Sequence, residues 1–193
     1  MSPALRVAVI SASVREGRFG PTVTDWLAKQ IDKRDELMLD VIDLADHPLP
    51  NVLSNEPPAE VADVLTPLRA RLESADAFVI NTPEYNHSFP ASLKSLIDWH
   101  YTQWRAKPVA FVSYGGLAGG LRAVEQLRPV LNELHAVTLR DTVSFHMAWD
   151  LFGTDGVLES PEAADLAATA MIDQLIWWGT ALREARDKRP YPA

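Results

Sequence analysis

The chain has no cysteine among its 193 residues. That excludes disulfides, a thiolate nucleophile and cysteine-held iron–sulfur clusters. It also lacks any apolar run near the length of a bilayer span, and its start has no signal-peptide core. A cytoplasmic protein with no membrane partner is expected. Positive charge is scarce, with 18 Lys and Arg against 26 Asp and Glu and a net charge of −8. A nucleic-acid surface needs a positive field, so none is expected. No internal repeat, linker or low-complexity segment interrupts the chain.

Several catalytic signatures are missing too. There is no G-x-G-x-x-G for a dinucleotide pyrophosphate, no G-x-x-x-x-G-K-[ST] and no G-x-S-x-G elbow. The five histidines (47, 87, 100, 135 and 146) show no ligand spacing, so no metal site is expected. Only His87 falls in a candidate site loop; the other four read as ordinary surface or interior residues. Scattered carboxylates such as Asp98, Asp150 and Asp155 read as helix-surface and turn residues.

What is present begins with Val7-Ala8-Val9-Ile10, a continuous apolar run suited to a parallel strand covered on both faces. It gives way to Ser11, Ser13, Arg15, Gly17, Arg18 and Gly20. From Thr22 a helical pattern places Val23, Trp26, Leu27 and Ile31 on one face. A polar loop entering a helix N-terminus favours anions, because the first helical N–H groups lack partners and the helix dipole adds positive potential. The two serines offer hydroxyl donors, and either Arg15 or Arg18 can supply a forked cation. The loop reads as a site for one terminal phosphate.

Further strands are predicted at Leu37–Leu44, Ala75–Asn81, Val109–Val112 and Val137–Val143. Helices are predicted at about 59–72, from Pro90 to near His100, at 121–134 and at 161–186. A proline-rich passage, 47–58, is irregular. Pro67 should kink or split its helix, and Pro129 also lies inside one. Strands alternating with helices give an α/β, flavodoxin-like fold: a five-stranded parallel sheet of order 2-1-3-4-5 with helices on both faces. Residues 1–186 form one domain, and 187–193 a loose tail. The loops after strands 1, 3 and 4 (11–20, 82–89 and 113–120) are then neighbours, the first two flanking the topological switch point where ligands bind. Trp99, Tyr101 and Trp104 suit either core or a subunit interface. Trp177 and Trp178 read as core and rim.

Ser11-Ala12-Ser13-Val14-Arg15-Glu16-Gly17-Arg18, then Thr82-Pro83-Glu84-Tyr85-Asn86-His87-Ser88 and Leu93-Lys94-Ser95-Leu96-Ile97-Asp98-Trp99, resemble the NADPH-dependent FMN reductase family. Ser113-Tyr114-Gly115-Gly116 fits as well. The resemblance runs from about Val7 to about Val143. It departs at Ala12, where glycine is frequent, and at Gly17-Arg18, where glycine-serine is common. It implies an FMN-dependent NAD(P)H oxidoreductase passing electrons to a small acceptor such as a flavin, quinone, azo compound or metal oxyanion, by a ping-pong mechanism. Ser11, Ser13, Arg15, Arg18, Phe19 and Gly20 would hold the FMN phosphate. Pro83, Glu84, Tyr85, Asn86 and His87 would line the isoalloxazine, with Ser113, Gly115 and Gly116 at its pyrimidine edge. No catalytic side chain is implied, because hydride chemistry belongs to the flavin, with NADPH or NADH as co-substrate. A homodimer or dimer of dimers is also implied. The alternative is a flavodoxin-like electron carrier or flavin-binding sensor.

Overall fold

The apolar run at the start of the chain becomes β1, Leu5–Ser11, buried along almost its whole length. In the computed structural model, which describes residues 3–192, every strand pairing is parallel. After β1 come α1 (Gly20–Ile31), β2 (Leu37–Asp43), α2 (Ala59–Ser74), β3 (Ala77–Pro83) and α3 (Ala91–Trp99). Then follow β4 (Pro108–Gly115), α4 (Leu121–Glu133), β5 (Val137–Thr138), β6 (Val143–His146) and α5 (Glu162–Lys188), with short 3-10 turns at 44–46, 102–104 and 148–150.

The sheet order is β2-β1-β3-β4-β5, the expected flavodoxin-like order. β3 and β4 are buried at every position because helices cover both faces. One face packs Val7, Val9, Val79 and Val112 under α1 and α5. The other packs Ile10, Phe78, Ile80 and Phe111 under α2, α3 and α4. The chain leaves β1 for β2 on one side and returns to β3 on the other. This opens a crevice at the strand C-termini, where Ser11 sits in register with Asn81.

Four expectations need correcting. The fifth strand is not continuous: β5 pairs with Pro108 and Val109, the chain leaves the ladder, and β6 rejoins β4 at Val112. Polar Arg140, Asp141 and Thr142 occupy the break, and the Arg128 guanidinium donates to the Leu139 and Arg140 carbonyls, replacing ladder partners. Among the described residues the sheet keeps the expected order, with the fifth strand split so that it has six strand segments rather than five. Pro67 does not split α2, which runs unbroken from Ala59 to Ser74. Strand β4 extends through Ser113, Tyr114 and Gly115, so those residues are strand end rather than loop. Trp177 and Trp178 are neither core nor rim but 64% and 36% exposed, because α5 turns Met171, Ile172, Leu175 and Gly179 to the sheet.

Trp104 belongs wholly to the core, its ring 4.7 Å from that of Phe78. Trp99 donates its indole N–H to the Pro50 carbonyl, and Tyr101 is exposed. The helix α5 continues to Lys188, and the Tyr191 hydroxyl lies 3.0 Å from His135 Nδ1. Among the described residues, no helix is long and apolar enough to cross a membrane, and no cluster of potential metal ligands forms.

Candidate flavin site

At the crevice, β1 ends in fully buried Ser11, and Ala12 and Ser13 just beyond it are fully buried as well. The Ala12 N–H donates to the Asn81 carbonyl and the Ser92 hydroxyl donates to the Ala12 carbonyl, fixing the start of the loop between β3 and α3. A turn from Arg15 to Arg18 follows, with Gly17 at φ +64°. Helix α1 opens at Gly20 with proline in its first turn and no side chain capping its N–H groups. Uncapped N–H groups at a loop already rich in hydroxyls are the donor set an anion requires.

Two further donors lie beneath. The Ser11 hydroxyl and the Tyr114 hydroxyl are buried and have no hydrogen-bond partner among the described residues. Burial pushes the Tyr114 pKa up, keeping its proton in place as a donor. The absence of a side chain at Gly20 makes room for both: a Cβ there would stand 2.9 Å from the Tyr114 oxygen and 3.3 Å from that of Ser11. Buried hydroxyls without partners are costly, and their convergence under a helix N-terminus marks a place for a group that supplies acceptors.

The two arginines separate. Arg18 donates to the Ser13 carbonyl (2.8 Å) and is ion-paired with Asp43, a bond that raises its already high pKa. Arg15 is exposed and in no ion pair among the described residues. Phe19 packs against Tyr114 and Phe152, with ring centroids 6.1 and 5.5 Å apart.

The second loop is a two-residue hairpin. Tyr85 and Ser88 exchange backbone hydrogen bonds, and Asn86 and His87 between them have φ of +49° and +74°. That is the pattern of a type I′ turn, in which His87 occupies a position glycine would fill without strain. The loop is held from three sides. The Tyr85 hydroxyl bonds Ser13 Oγ at 2.6 Å, joining it to the first loop. The Glu84 carboxylate accepts from the Arg122 backbone N–H and guanidinium at the start of α4. Gln126 donates to the His87 carbonyl and accepts from the Ser88 hydroxyl. The Glu84 and Tyr85 N–H groups are themselves engaged, by the Tyr114 and Ser88 carbonyls. Pro83 is buried in the end of β3.

The third loop is pinned at Gly119, whose carbonyl accepts from both Ser113 (2.8 Å) and Ser144 (2.7 Å). Its φ of +57° and the 2.5 Å from a would-be Cβ to the Ser144 oxygen restrict the position to glycine. His146 Nδ1 bonds the Leu117 carbonyl, and the Met147 N–H donates to Gly116. Thus Ser113 serves as a pin, Gly115 is buried strand end and Gly116 is partly open.

The three loops read from the sequence are therefore one assembly. Sequence reasoning missed Asp43, Tyr114, Arg122, Gln126 and Ser144, and took His146 for an ordinary residue. Only Tyr114 carried a signal, standing between Ser113 and Gly115. The others act through contacts between distant segments that leave no spacing pattern.

Residues 5–150 match the family described as NADPH-dependent FMN reductase. The chain belongs to the NADPH-dependent FMN reductase family. A fission yeast NAD(P)H-dependent FMN reductase (Schizosaccharomyces pombe) is 37% identical over 122 residues, 60% of this chain and 60% of that relative's own length. A rice protein named as a probable NADPH:quinone oxidoreductase is 33% identical over 82% of this chain and 81% of its own. Among solved structures, the flavoenzyme NAD(P)H:(acceptor) oxidoreductase FerB of Paracoccus denitrificans superposes with a TM-score of 0.72 at 24% identity, covering 92% of this chain and 98% of that one. The last likeness confirms the fold. Membership carries oxidoreductase chemistry with FMN as cofactor and NAD(P)H as co-substrate.

FMN fits the residues present. The uncapped start of α1, the orphaned Ser11 and Tyr114 hydroxyls and the unpaired Arg15 form a donor set for a phosphate dianion. A neutral ligand would satisfy few of them.

Proposed function

We propose that this chain is an FMN-dependent NAD(P)H oxidoreductase that hands electrons to a small flat acceptor, a quinone or a flavin, by a ping-pong mechanism. The observation that carries the proposal is the pair of buried, unpartnered hydroxyls of Ser11 and Tyr114 beneath an uncapped helix start, at the switch point of a flavodoxin-like sheet. Bound FMN supplies the hydride chemistry.

The residues divide the work around it. Ser11, Ser13, Gly20 and the first N–H groups of α1 hold the phosphate, and Arg15 supplies its counter-charge. Arg18, bound to Asp43 and to the Ser13 carbonyl, shapes that loop, and Phe19 braces it against Tyr114 and Phe152. Asn86 and His87 at the turn tip would supply backbone N–H groups to the ring, with Pro83, Glu84 and Tyr85 setting the turn in place. Ser113, Gly115 and Gly116 border the pyrimidine edge. Dipoles fixed there would favour negative charge on that edge of a bound flavin without having to rearrange. The names of the rice and yeast relatives support the choice of acceptors. A homodimer or dimer of dimers agrees with the exposed Trp177 and Trp178, and a cytoplasmic location with use of an intracellular reductant.

A flat ring bound between these two pinned loops and the sheet edge would be reachable from one side, so nicotinamide and acceptor would use that side in turn. Steady-state rates with a quinone varied at several NADPH concentrations should give parallel double-reciprocal lines. Under anaerobic conditions NADPH alone should bleach the flavin at least as fast as turnover. Intersecting lines contradict the single-face mechanism. Bleaching far slower than any partner-dependent reduction points to an electron carrier instead.

A further inference from the structure

The segment after β6 packs onto the third loop and carries a tryptophan with no role in the core. Met147 donates its N–H to the Gly116 carbonyl at 3.0 Å, and the Asp150 N–H returns to the Met147 carbonyl at 2.8 Å. Met147 has φ +47°, a left-handed conformation that a side chain with a γ-carbon adopts at a cost. Ala148 is fully buried and anchors the turn. On either side Phe145 and Phe152 lock together edge to face, with centroids 5.2 Å apart. The strained, doubly bonded turn projects Trp149, which stays 54% exposed. Its Cη2 would lie 3.7 Å from a Cβ at Gly116, so the rim of the indole rests on the glycine at the edge of the cleft. Core packing does not require an indole there.

We propose that Trp149 is a specificity-determining residue that stacks on planar aromatic acceptors, quinone rings above all, as they approach the open flavin face. The inference rests on the oxidoreductase reading above and extends it to acceptor choice. A rigid arm makes such stacking effective, since an indole already held in place loses little freedom on binding. The electron-poor quinone ring is a suitable partner for the indole face, and a compact inorganic acceptor gains nothing from it.

The test uses the FMN-loaded protein and its Trp149→Ala and Trp149→Phe variants. In the absence of NADPH no reduction occurs, so titration of 1,4-naphthoquinone followed by flavin absorbance measures binding alone. Trp149→Ala should raise that dissociation constant, and the quinone KM, about two- to tenfold, the worth of one aromatic pair. Trp149→Phe should stay within about twofold of the unmodified protein. The KM for ferricyanide, the FMN dissociation constant of the apoprotein and the sedimentation coefficient should not change. Equal loss toward both acceptors, an unchanged quinone constant, or dissociation of an oligomer on Trp149→Ala would each overturn the proposal. Failure of the unmodified protein to bind FMN would instead overturn the oxidoreductase reading, and this inference with it.

Discussion

Arg15 and Arg18 lie on the same loop with the same side chain, yet the structure gives them different work. Arg18 is committed to Asp43 and the Ser13 carbonyl, so its charge is neutralised within the protein. Arg15 remains exposed with no ion pair among the described residues. A hydrogen bond to a charged group contributes about 1.5–3 kcal/mol. Arg15→Ala should therefore weaken FMN by about ten- to a hundredfold, with the circular dichroism spectrum unchanged. Flavin titration of the two proteins checks this, and an unaltered dissociation constant would remove Arg15 from the phosphate site. The residues alone left both arginines open and the family pattern favoured Arg15, but the reason Arg18 is occupied was hidden, because Asp43 lies at the end of a different strand and only the sheet order brings it near.

At the scale of elements, the end of the sheet opposite the crevice holds a buried cation. Lys107, 7% exposed, precedes β4 and donates to the Leu72 and Glu73 carbonyls at the C-terminal end of α2, both at 2.9 Å. Burial, reinforced by the nearby Arg186 charge, lowers its pKa to about 8. In the unfolded chain lysine titrates near 10.4. Between those values the unfolded state binds more protons, so this group adds stability as pH rises from about 8 toward 10.4 and leaves it flat below 8. The gain is on the order of a few kcal/mol. The change in urea midpoint from pH 8 to pH 10 should therefore be more favourable in the unmodified protein than in Lys107→Met. Equal pH dependence in both would show that the amine is not held as described. A folded-state amine can keep donating to both carbonyls after losing its charge, so the α2 cap survives the titration.

Across the whole molecule, what could be read from the chain followed from periodicity and loop chemistry. The apolar runs of β1 and β3 declared a parallel sheet covered on both faces, and the polar loops after strands 1, 3 and 4 located the crevice. The break between β5 and β6 was hidden because Val137 to Val143 is still apolar at both ends, and the gap is held by side chains from distant helices, Arg128 of α4 on the Leu139 and Arg140 carbonyls and Gln174 of α5 on Asp141. The exposure of Trp177 and Trp178 was hidden because a long helix with apolar residues on several sides does not announce which stripe meets the sheet. Within the site, the loops were legible and their fastening was not. Glu84 on Arg122, Gln126 on the second loop, and Ser144 with His146 on the third are each contacts between distant segments.

The central claim is that this crevice is built for a phosphate as much as for a flavin ring, and one measurement bears on it most directly. Apoprotein is titrated with FMN and separately with riboflavin, following quenching of flavin fluorescence. The donor set of Ser11, Ser13, Arg15, Tyr114 and the α1 N-terminus meets only a neutral ribityl hydroxyl in riboflavin, with no charge and too few acceptor oxygens to satisfy it. FMN should bind more tightly by at least about tenfold, the value of one charge-assisted hydrogen bond. Equal affinity for the two would contradict the account.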